Sequence, residues 1–207
     1  MNANWTKKIL AAAVLLGGAL TGPAATAQAP DPAAQQVQTF YDALLDSMKH
    51  AKELGVKGRY EKLKPVIEQT FDLTDMASIS VGPDKWAALS AADQQTLSVA
   101  FERMTVANYA KNFDGFSGEK FIVEAASTVR GTDRVVQSKL VAKDQTVPFG
   151  YRMRQIGGTW KILDIYLNGN ISQLSVNRSD YGATFSAGGA AALIKKFNEK
   201  SEQLLGG

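Results

Sequence analysis

The sequence predicts an α+β fold, an antiparallel four-stranded sheet covered on one face by about six helices. Three patterns support this prediction. Up to residue 113, apolar side chains recur at the spacing of helices that bury one face. After that, four runs rich in β-forming residues are joined by short turns, which is typical of an antiparallel meander. An amphipathic stretch at residues 190–205 then predicts a closing helix.

A secretory signal peptide is predicted at the N terminus. Lys7 and Lys8 precede an apolar run at residues 9–20, and small residues then end in Ala25-Thr26-Ala27. This order of basic, apolar and A-x-A segments is typical of a cleaved signal, so we expect cleavage before Gln28. The alternative is a membrane-spanning helix, but the apolar run is shorter than the ~20 residues that a bilayer core requires.

Residues 28–207 are predicted to form a single domain, since no repeat or long linker divides them. Removal of residues 1–27 takes away two lysines and lowers the formal net charge from +3 to +1, which argues against a nucleic-acid partner. The chain has no cysteine, so its hydrophobic core must hold an exported protein together without disulfides.

The first helix is predicted to begin at Asp31-Pro32 and to end at Gly55 and Gly58. Its buried face carries apolar side chains at helical spacing, namely Val37, Phe40, Tyr41, Leu44, Leu45 and Met48. Two further helices are predicted at residues 59–71 and 73–79, followed by a short turn that carries Trp86.

A long helix is predicted after Ser90, because Asp93 stands three residues beyond it as in a capped N terminus. The helix carries apolar residues on two faces, so we expect it to pack between other elements. One face has Leu97, Phe101 and Met104, and the other has Val106, Tyr109 and Phe113.

The four strands are predicted at residues 120–129, 134–143, 146–156 and 159–167. Gly157-Gly158 joins the last two as a hairpin, because glycine reaches φ > 0 at little cost. Residues 171–181 predict a helix that leaves the sheet, and Gly188-Gly189 predicts a break before the last helix.

Strand alternation predicts which hairpin residues share a face. Phe149, Tyr151 and Met153 share one face of the first hairpin strand, opposite Arg152 and Arg154. On the second hairpin strand, one face has Trp160, Ile162 and Asp164, and the other has Leu163, Ile165 and Leu167. We therefore expect Trp160 to be buried.

Few residues are available for catalysis. His50 is the only histidine, and its position near a helix C terminus favours a solvated imidazole; a general base is the alternative. One histidine and no cysteine cannot assemble a zinc site of nitrogen and sulfur ligands. The sequence also lacks a G-x-S-x-G elbow, a P-loop and a dinucleotide-binding motif. We predict no catalytic residue, no metal site, no cofactor and no enzyme activity.

The pair Arg152 and Arg154 has two interpretations. It is either a solvated sheet face or a docking surface for acidic groups or a lipid phosphate, because the planar guanidinium matches phosphate oxygens.

The hairpin region resembles a known family. The resemblance is carried by Tyr151-x-Met153, Trp160-Lys161-Ile162-x-Asp164-Ile165, Gly169, Ile171-Ser172 and Arg178-Ser179. Their order and spacing resemble the MlaC family of periplasmic lipid carriers, also called the toluene-tolerance family. Two further runs, Ile171-Ser172-Gln173-Leu174 and Arg178-Ser179-Asp180-Tyr181, resemble its hopanoid-associated HpnM branch.

The resemblance implies a curved sheet covered by helices, an NTF2-like cone, in a periplasmic monomer that encloses lipid tails. It implies a carrier that shuttles phospholipid or a hopanoid between the inner and outer membranes. The partners it implies are an inner-membrane ABC lipid-transport complex and an outer-membrane lipoprotein. With the apolar pattern, it gives these candidate lipid contacts: Phe101, Met104, Leu140, Phe149, Tyr151, Met153, Trp160, Ile162, Arg178 and Tyr181.

Two other functions stay open on the residues alone. One is a small isomerase-like enzyme on a similar cone, with Asp164, Tyr151 or Tyr166 as the acid or base. The other is a protein-binding scaffold without a ligand. The hairpin aromatics are also consistent with an ordinary hydrophobic core.

Arg178 likewise has two interpretations. Leu174 and Tyr181 flank it on the predicted helix, so we expect a partly buried guanidinium that needs a partner. Asp164 on the preceding strand is the expected partner, in a clasp between helix and sheet. The alternative is a contact between Arg178 and a lipid headgroup.

We expect the exported protein to begin at Gln28, because the A-x-A site ends at Ala27. N-terminal sequencing of protein from the periplasmic fraction measures this directly. A membrane-embedded protein that retains Met1 would contradict the signal-peptide prediction.

Overall fold

The structure is a computed structural model that describes residues 31–206. The predicted signal peptide, residues 1–27, lies outside the described residues. The helices of the described part are α1 (Pro32–Lys49), α2 (Ala51–Thr70), α3 (Leu73–Val81), α4 (Pro83–Ala87), α5 (Ala91–Asn112) and α6 (Gln173–Gly206). Its strands are β1 (Lys120–Val123), β2 (Thr128–Arg130), β3 (Asp133–Val141), β4 (Thr146–Ile156), β5 (Thr159–Leu167) and β6 (Ile171–Ser172).

Antiparallel pairing joins these strands into one sheet in the order β1–β3–β4–β5–β6, with β2 also paired to β3. Helices α1, α2, α3 and α6 contact β5, and α1 also contacts β1 and β3. The core lies between the two layers, where Phe40 of α1, Leu97 of α5 and Met153 of β4 are fully buried. The predicted α+β fold is therefore confirmed, and so are the bounds of both hairpin strands.

The described sheet has two more strands than predicted. The run at residues 120–129 forms β1 and β2, and Ser127 between them bonds to the start of α1 instead of to β3. The backbone N–H and Oγ of Ser127 donate to Oδ2 of Asp31 at 3.0 and 2.5 Å. Asp31 also caps α1 by accepting from the N–H of Ala33 at 2.9 Å. The interruption thus fastens the sheet edge to the start of α1.

A β-bulge changes the faces predicted for β5. Tyr151 pairs with Ile165 and Met153 pairs with Ile162, so Leu163 is the extra residue between the two pairs. Directly paired residues lie on the same face, and therefore Ile162 and Ile165 share a face with Tyr151 and Met153. The prediction that Ile162 and Ile165 lie on opposite faces was wrong, because strict alternation does not continue through a bulge.

Helix α1 ends at Lys49, before the predicted end. Gly55 instead kinks α2, with a φ of 61° that glycine adopts readily. Arg59, buried beside this kink, donates from Nε to the carbonyl of Ala110 at 2.7 Å and from Nη1 to that of Ala51 at 2.8 Å. Ala110 lies in the last turn of α5, where carbonyls lack helical partners and carry partial negative charge. The arginine therefore joins the two helices.

Asp164 holds the start of α6 against the sheet. Its Oδ1 accepts from the N–H of Leu174 at 3.2 Å, and its Oδ2 accepts from Oγ of Ser172 at 2.5 Å. Ser172 in turn accepts from the N–H of Ser175 at 3.0 Å. Two N–H groups of the first turn of α6 are thus satisfied, and β6 delays the predicted helix by two residues.

The predicted clasp between Arg178 and Asp164 was wrong. Arg178 is exposed, and Asp164 is satisfied by its hydrogen bonds to the start of α6. Farther along α6, Gly188 and Gly189 have non-helical backbone angles, which confirms the predicted break between two helical halves.

Trp160 was expected to be buried, but it is partly exposed. The residue lies beside the Gly157–Gly158 turn, at the end of the sheet where α1 begins. The guanidinium of Arg134 lies 4.8 Å from the Trp160 ring centroid and donates to Oδ1 of Asp31 at 3.0 Å. The ring therefore packs against the hydrophobic core while staying partly exposed, and a cation lies over its face.

Asp164→Ala should lower the free energy of unfolding by about 3 kcal/mol, because it removes a helix cap and leaves the buried Leu174 N–H unpaired. Urea denaturation measures the effect. The control is Arg178→Ala, for which we expect a change within about 0.5 kcal/mol, as for other exposed substitutions. An equal loss of unfolding free energy in both variants would instead support the contact between Arg178 and Asp164.

Candidate functional site

A cavity of about 240 Å³ lies between the sheet and helices α1, α5 and α6; we call it the central cavity. Helix α1 contributes Phe40, Tyr41 and Leu44, and α3 contributes Met76. From α5 and the residue after it come Phe101, Met104, Thr105, Asn108, Tyr109 and Phe113. The sheet contributes Phe121, Phe149, Tyr151, Ile165 and Leu167, and α6 contributes Gln173, Leu174, Asn177 and Tyr181.

Aromatic rings form one wall of the central cavity and support one another. Tyr41 stacks on Phe121 with ring centroids 4.3 Å apart, and its edge meets Tyr151 at 5.7 Å. Tyr109 meets Phe40 edge to face at 5.2 Å and stacks on Phe113 at 5.8 Å. Rings in such contacts are held in place, so this wall resists collapse into the space beside it.

Methionines provide adaptable parts of the lining. Met76 and Met104 reach the cavity from α3 and α5. An unbranched thioether side chain rearranges around differently shaped ligands more easily than a branched or aromatic one. The cavity therefore combines a fixed aromatic wall with movable positions.

Phenol groups inside the cavity carry no charge near neutral pH. Burial raises the pKa of Tyr41 to about 12 against the hydrogen bond with Ser138, and the two hydroxyl oxygens are 2.7 Å apart. Burial also raises the pKa values of Tyr109 and Tyr151, and the neighbouring phenols add to the effect. These groups can hydrogen-bond to a ligand but cannot act as a base at neutral pH.

The remaining polar lining is also uncharged. It consists of Thr105, Asn108, Gln173 and Asn177, all of them partly exposed. The lining of the central cavity, as far as the structure describes it, contains no acidic or basic residue. Because such a space offers nothing to stabilise an ion, it suits neutral, mainly apolar ligand groups.

The residues proposed for an enzyme do not meet in the cavity. Asp164 is bonded to the start of α6. Tyr166 instead lines a surface groove beside Arg152 and Gln137. Tyr151 does line the cavity, but burial raises its pKa. His50 is exposed after α1, with Nδ1 3.1 Å from a carboxylate oxygen of Asp46. Within residues 31–206, no three acidic or histidine side chains form a group that could hold a metal ion.

The structure divides the candidate lipid contacts into three sets. Phe101, Met104, Phe149, Tyr151 and Tyr181 line the central cavity. Met153 and Ile162 lie in the solid core with no exposed surface. Leu140 and Trp160 are partly exposed away from the cavity, and Arg178 lies on a surface beside Gly82 and Lys85.

Sequence reasoning missed several cavity residues, among them Phe40, Tyr41, Tyr109 and Phe121. The buried face of α1 and both apolar faces of α5 were recognised, but as core. Helical periodicity shows that a face is covered, and it does not distinguish a packed neighbour from a cavity.

Arg152 and Arg154 are neither free cations nor simply solvated. Their Nε atoms lie 2.6 and 2.7 Å from the two carboxylate oxygens of Asp133. Burial favours a raised pKa for Asp133, but hydrogen bonds from Arg154 and Arg152 outweigh it and the pKa is lowered.

None of the helices in residues 31–206 is long and apolar enough to cross a membrane.

Comparison with known proteins gave two findings. The model of the family described as "MlaC protein" matches residues 38–199. A solved phospholipid-binding protein from Ralstonia solanacearum, in complex with a phospholipid, is similar in structure with a TM-score of 0.73. That chain is 20% identical in sequence, and the alignment covers 84% of this chain and 99% of the Ralstonia chain. No curated protein gave a match.

Stability should fall as the pH rises from 10 towards 12, because the unfolded chain ionises Tyr41 near its ordinary pKa of 10.0 while the folded chain keeps the proton up to about 12. The stabilisation by a buried tyrosine is complete below pH 10. Above pH 10, each such tyrosine lowers the free energy of unfolding by up to about 1.4 kcal/mol per pH unit. Urea denaturation across this range measures the slope. Tyr41→Phe should show a shallower slope; equal slopes would show that Tyr41 ionises freely in the folded protein.

Proposed function

Because this chain belongs to the MlaC family, as the sequence resemblance predicted, we propose that it is a periplasmic carrier that binds lipid tails in its central cavity. The observation that carries the proposal is an apolar cavity without charged lining between the sheet and the helices. The carrier shuttles phospholipid or a hopanoid between the inner and outer membranes as a monomer. It exchanges cargo with an inner-membrane ABC complex and an outer-membrane lipoprotein.

The physical need for an enclosed site follows from the cargo. Each methylene group left in water costs ~0.8 kcal/mol, so a long acyl chain costs on the order of 10 kcal/mol to expose. A protein that carries such a chain through an aqueous compartment must cover it. The aromatic and methionine lining supplies that cover.

The central cavity is small for a lipid with two tails. Its 240 Å³ is below the ~300–1,000 Å³ typical of small-molecule sites, so a two-tailed lipid requires the walls to move apart. Met76 and Met104 are suited to such movement. The kink at Gly188 and Gly189 also separates the half of α6 that lines the cavity from the rest of the helix.

Phospholipid is the favoured cargo, because the structurally similar Ralstonia protein is a phospholipid-binding protein in complex with a phospholipid. A hopanoid is the second candidate, on the resemblance to the HpnM branch. We propose binding instead of catalysis, since the ionisable groups that line the cavity are tyrosines held neutral at neutral pH.

The test is the lipid content of protein purified from the periplasm, measured by native mass spectrometry and solvent extraction. We expect bound lipid in the wild type. Leu167→Glu should reduce it about tenfold or more, because an unpaired carboxylate in an apolar site is costly.

The matched control is Ile171→Glu. Ile171 pairs directly with Leu167 across β5 and β6, but it is 46% exposed and lies outside the cavity lining. This variant should retain its lipid. A wild-type protein without lipid would contradict the proposed function, and equal lipid in both folded variants would exclude the central cavity as the site.

A further inference from the structure

A second, larger cavity adjoins the central one. It has a volume of about 620 Å³ and lies between α5 and the two halves of α6; we call it the α5–α6 groove. Met104, Asn108 and Tyr181 line both spaces. The remaining groove residues are mostly polar or charged, and four of them carry a formal charge, namely Asp180, Lys196, Glu199 and Lys200.

Tyr181 and Met104 make a weak contact where the groove and the central cavity share their lining. The hydroxyl of Tyr181 donates to Sδ of Met104 at 3.9 Å, and sulfur is a weak acceptor. The Tyr181 ring also packs edge to face on Phe197, with centroids 4.9 Å apart. A rotation of the flexible Met104 side chain breaks the hydrogen bond while the Tyr181 ring stays packed. This rotation would join the two spaces, since Met104 lines both.

Charges in the groove are balanced. The lining carries Lys196 and Lys200 together with Asp180 and Glu199, so its formal charges sum to zero. Glu199 is largely exposed, and one of its carboxylate oxygens lies 3.7 Å from Nζ of Lys195, which is outside the lining. Lys196 Nζ lies 2.5 Å from a carboxylate oxygen of Asp180, which is largely exposed. Lys200 Nζ donates to the neutral side-chain oxygen of Gln203 at 3.3 Å, so its charge is available to a ligand.

We propose that the α5–α6 groove binds the zwitterionic headgroup of a phospholipid whose tails occupy the central cavity. Lys196 and Lys200 contact the phosphate, and Asp180 and Glu199 contact the ammonium group. The proposal rests on the proposed function, since the groove gains this role only if tails fill the cavity. A purely anionic headgroup fits less well, because the two carboxylates repel it.

The experiment measures loading of the purified protein from vesicles that contain one of three fluorescent lipids with identical chains. These are phosphatidylethanolamine, phosphatidylglycerol and diacylglycerol, which lacks a phosphate. We expect the wild type to load phosphatidylethanolamine about tenfold better than diacylglycerol, the gain from one charge-assisted contact to phosphate. Phosphatidylglycerol should fall between the two.

Variants assign this preference to the groove. Lys196→Gln with Lys200→Gln should reduce phosphatidylethanolamine loading to the diacylglycerol level. Asp180→Asn with Glu199→Gln should favour phosphatidylglycerol instead, because the groove then carries a net positive charge. The matched control is Lys52→Gln, an exposed lysine outside both spaces, which should keep the wild-type order. Thermal melts establish that each variant is folded.

The outcomes separate this proposal from the proposed function. If the wild type loads none of the three lipids, lipid carriage itself fails. If it loads all three equally, or phosphatidylglycerol best, the protein binds lipid but the headgroup proposal is overturned. An unchanged preference in the folded lysine variant also overturns it.

Discussion

The buried carboxylate of Asp164 holds α6 against β5, and the central cavity depends on that attachment. Its hydrogen bonds to Ser172 and to the N–H of Leu174 fix the point at which the chain leaves the sheet. Leu174, Asn177 and Tyr181 follow within the first turns of α6 and form one side of the cavity. A carboxylate at a helix N terminus is favourable, because it accepts hydrogen bonds from N–H groups that have no partner within the helix. Its negative charge is also attracted to the positive end of the helix dipole.

Asp31 has a corresponding role at the start of α1. One carboxylate caps the helix, accepts two hydrogen bonds from Ser127 and pairs with Arg134, whose guanidinium covers Trp160. Burial alone would raise the pKa of Asp31, but these hydrogen bonds and the nearby arginine lower it to about 2. Both α1 and α6 are therefore attached to the sheet through the side chain of an aspartate at their start.

Polarity changes in steps from the inside of the molecule to its surface. The central cavity is lined by apolar side chains, neutral phenols and amides, whereas the adjoining α5–α6 groove carries two lysines and two carboxylates. Charged groups stay in the groove because ions are costly to bury without partners. An amphipathic lipid has the same sequence of properties along its length, and this match is the basis of the proposal that one lipid occupies both spaces.

The sequence by itself determined the α+β class, the cap of α5 at Ser90, the bounds of the hairpin and the break at Gly188-Gly189, because each depends on local spacing or on one residue's backbone preference. Only the tertiary structure decided that Ile162 shares a face with Ile165, since a bulge at Leu163 shifts the register without a mark in the pattern. It also placed Asp164 under α6, left Arg178 exposed and put Met153 in the core while Tyr109 lines a cavity. Periodicity tells which residues leave water. The distance between helix and sheet decides whether those residues meet a packed side chain or an open space. That distance is set by contacts between elements that are far apart in the chain, so no local pattern shows it.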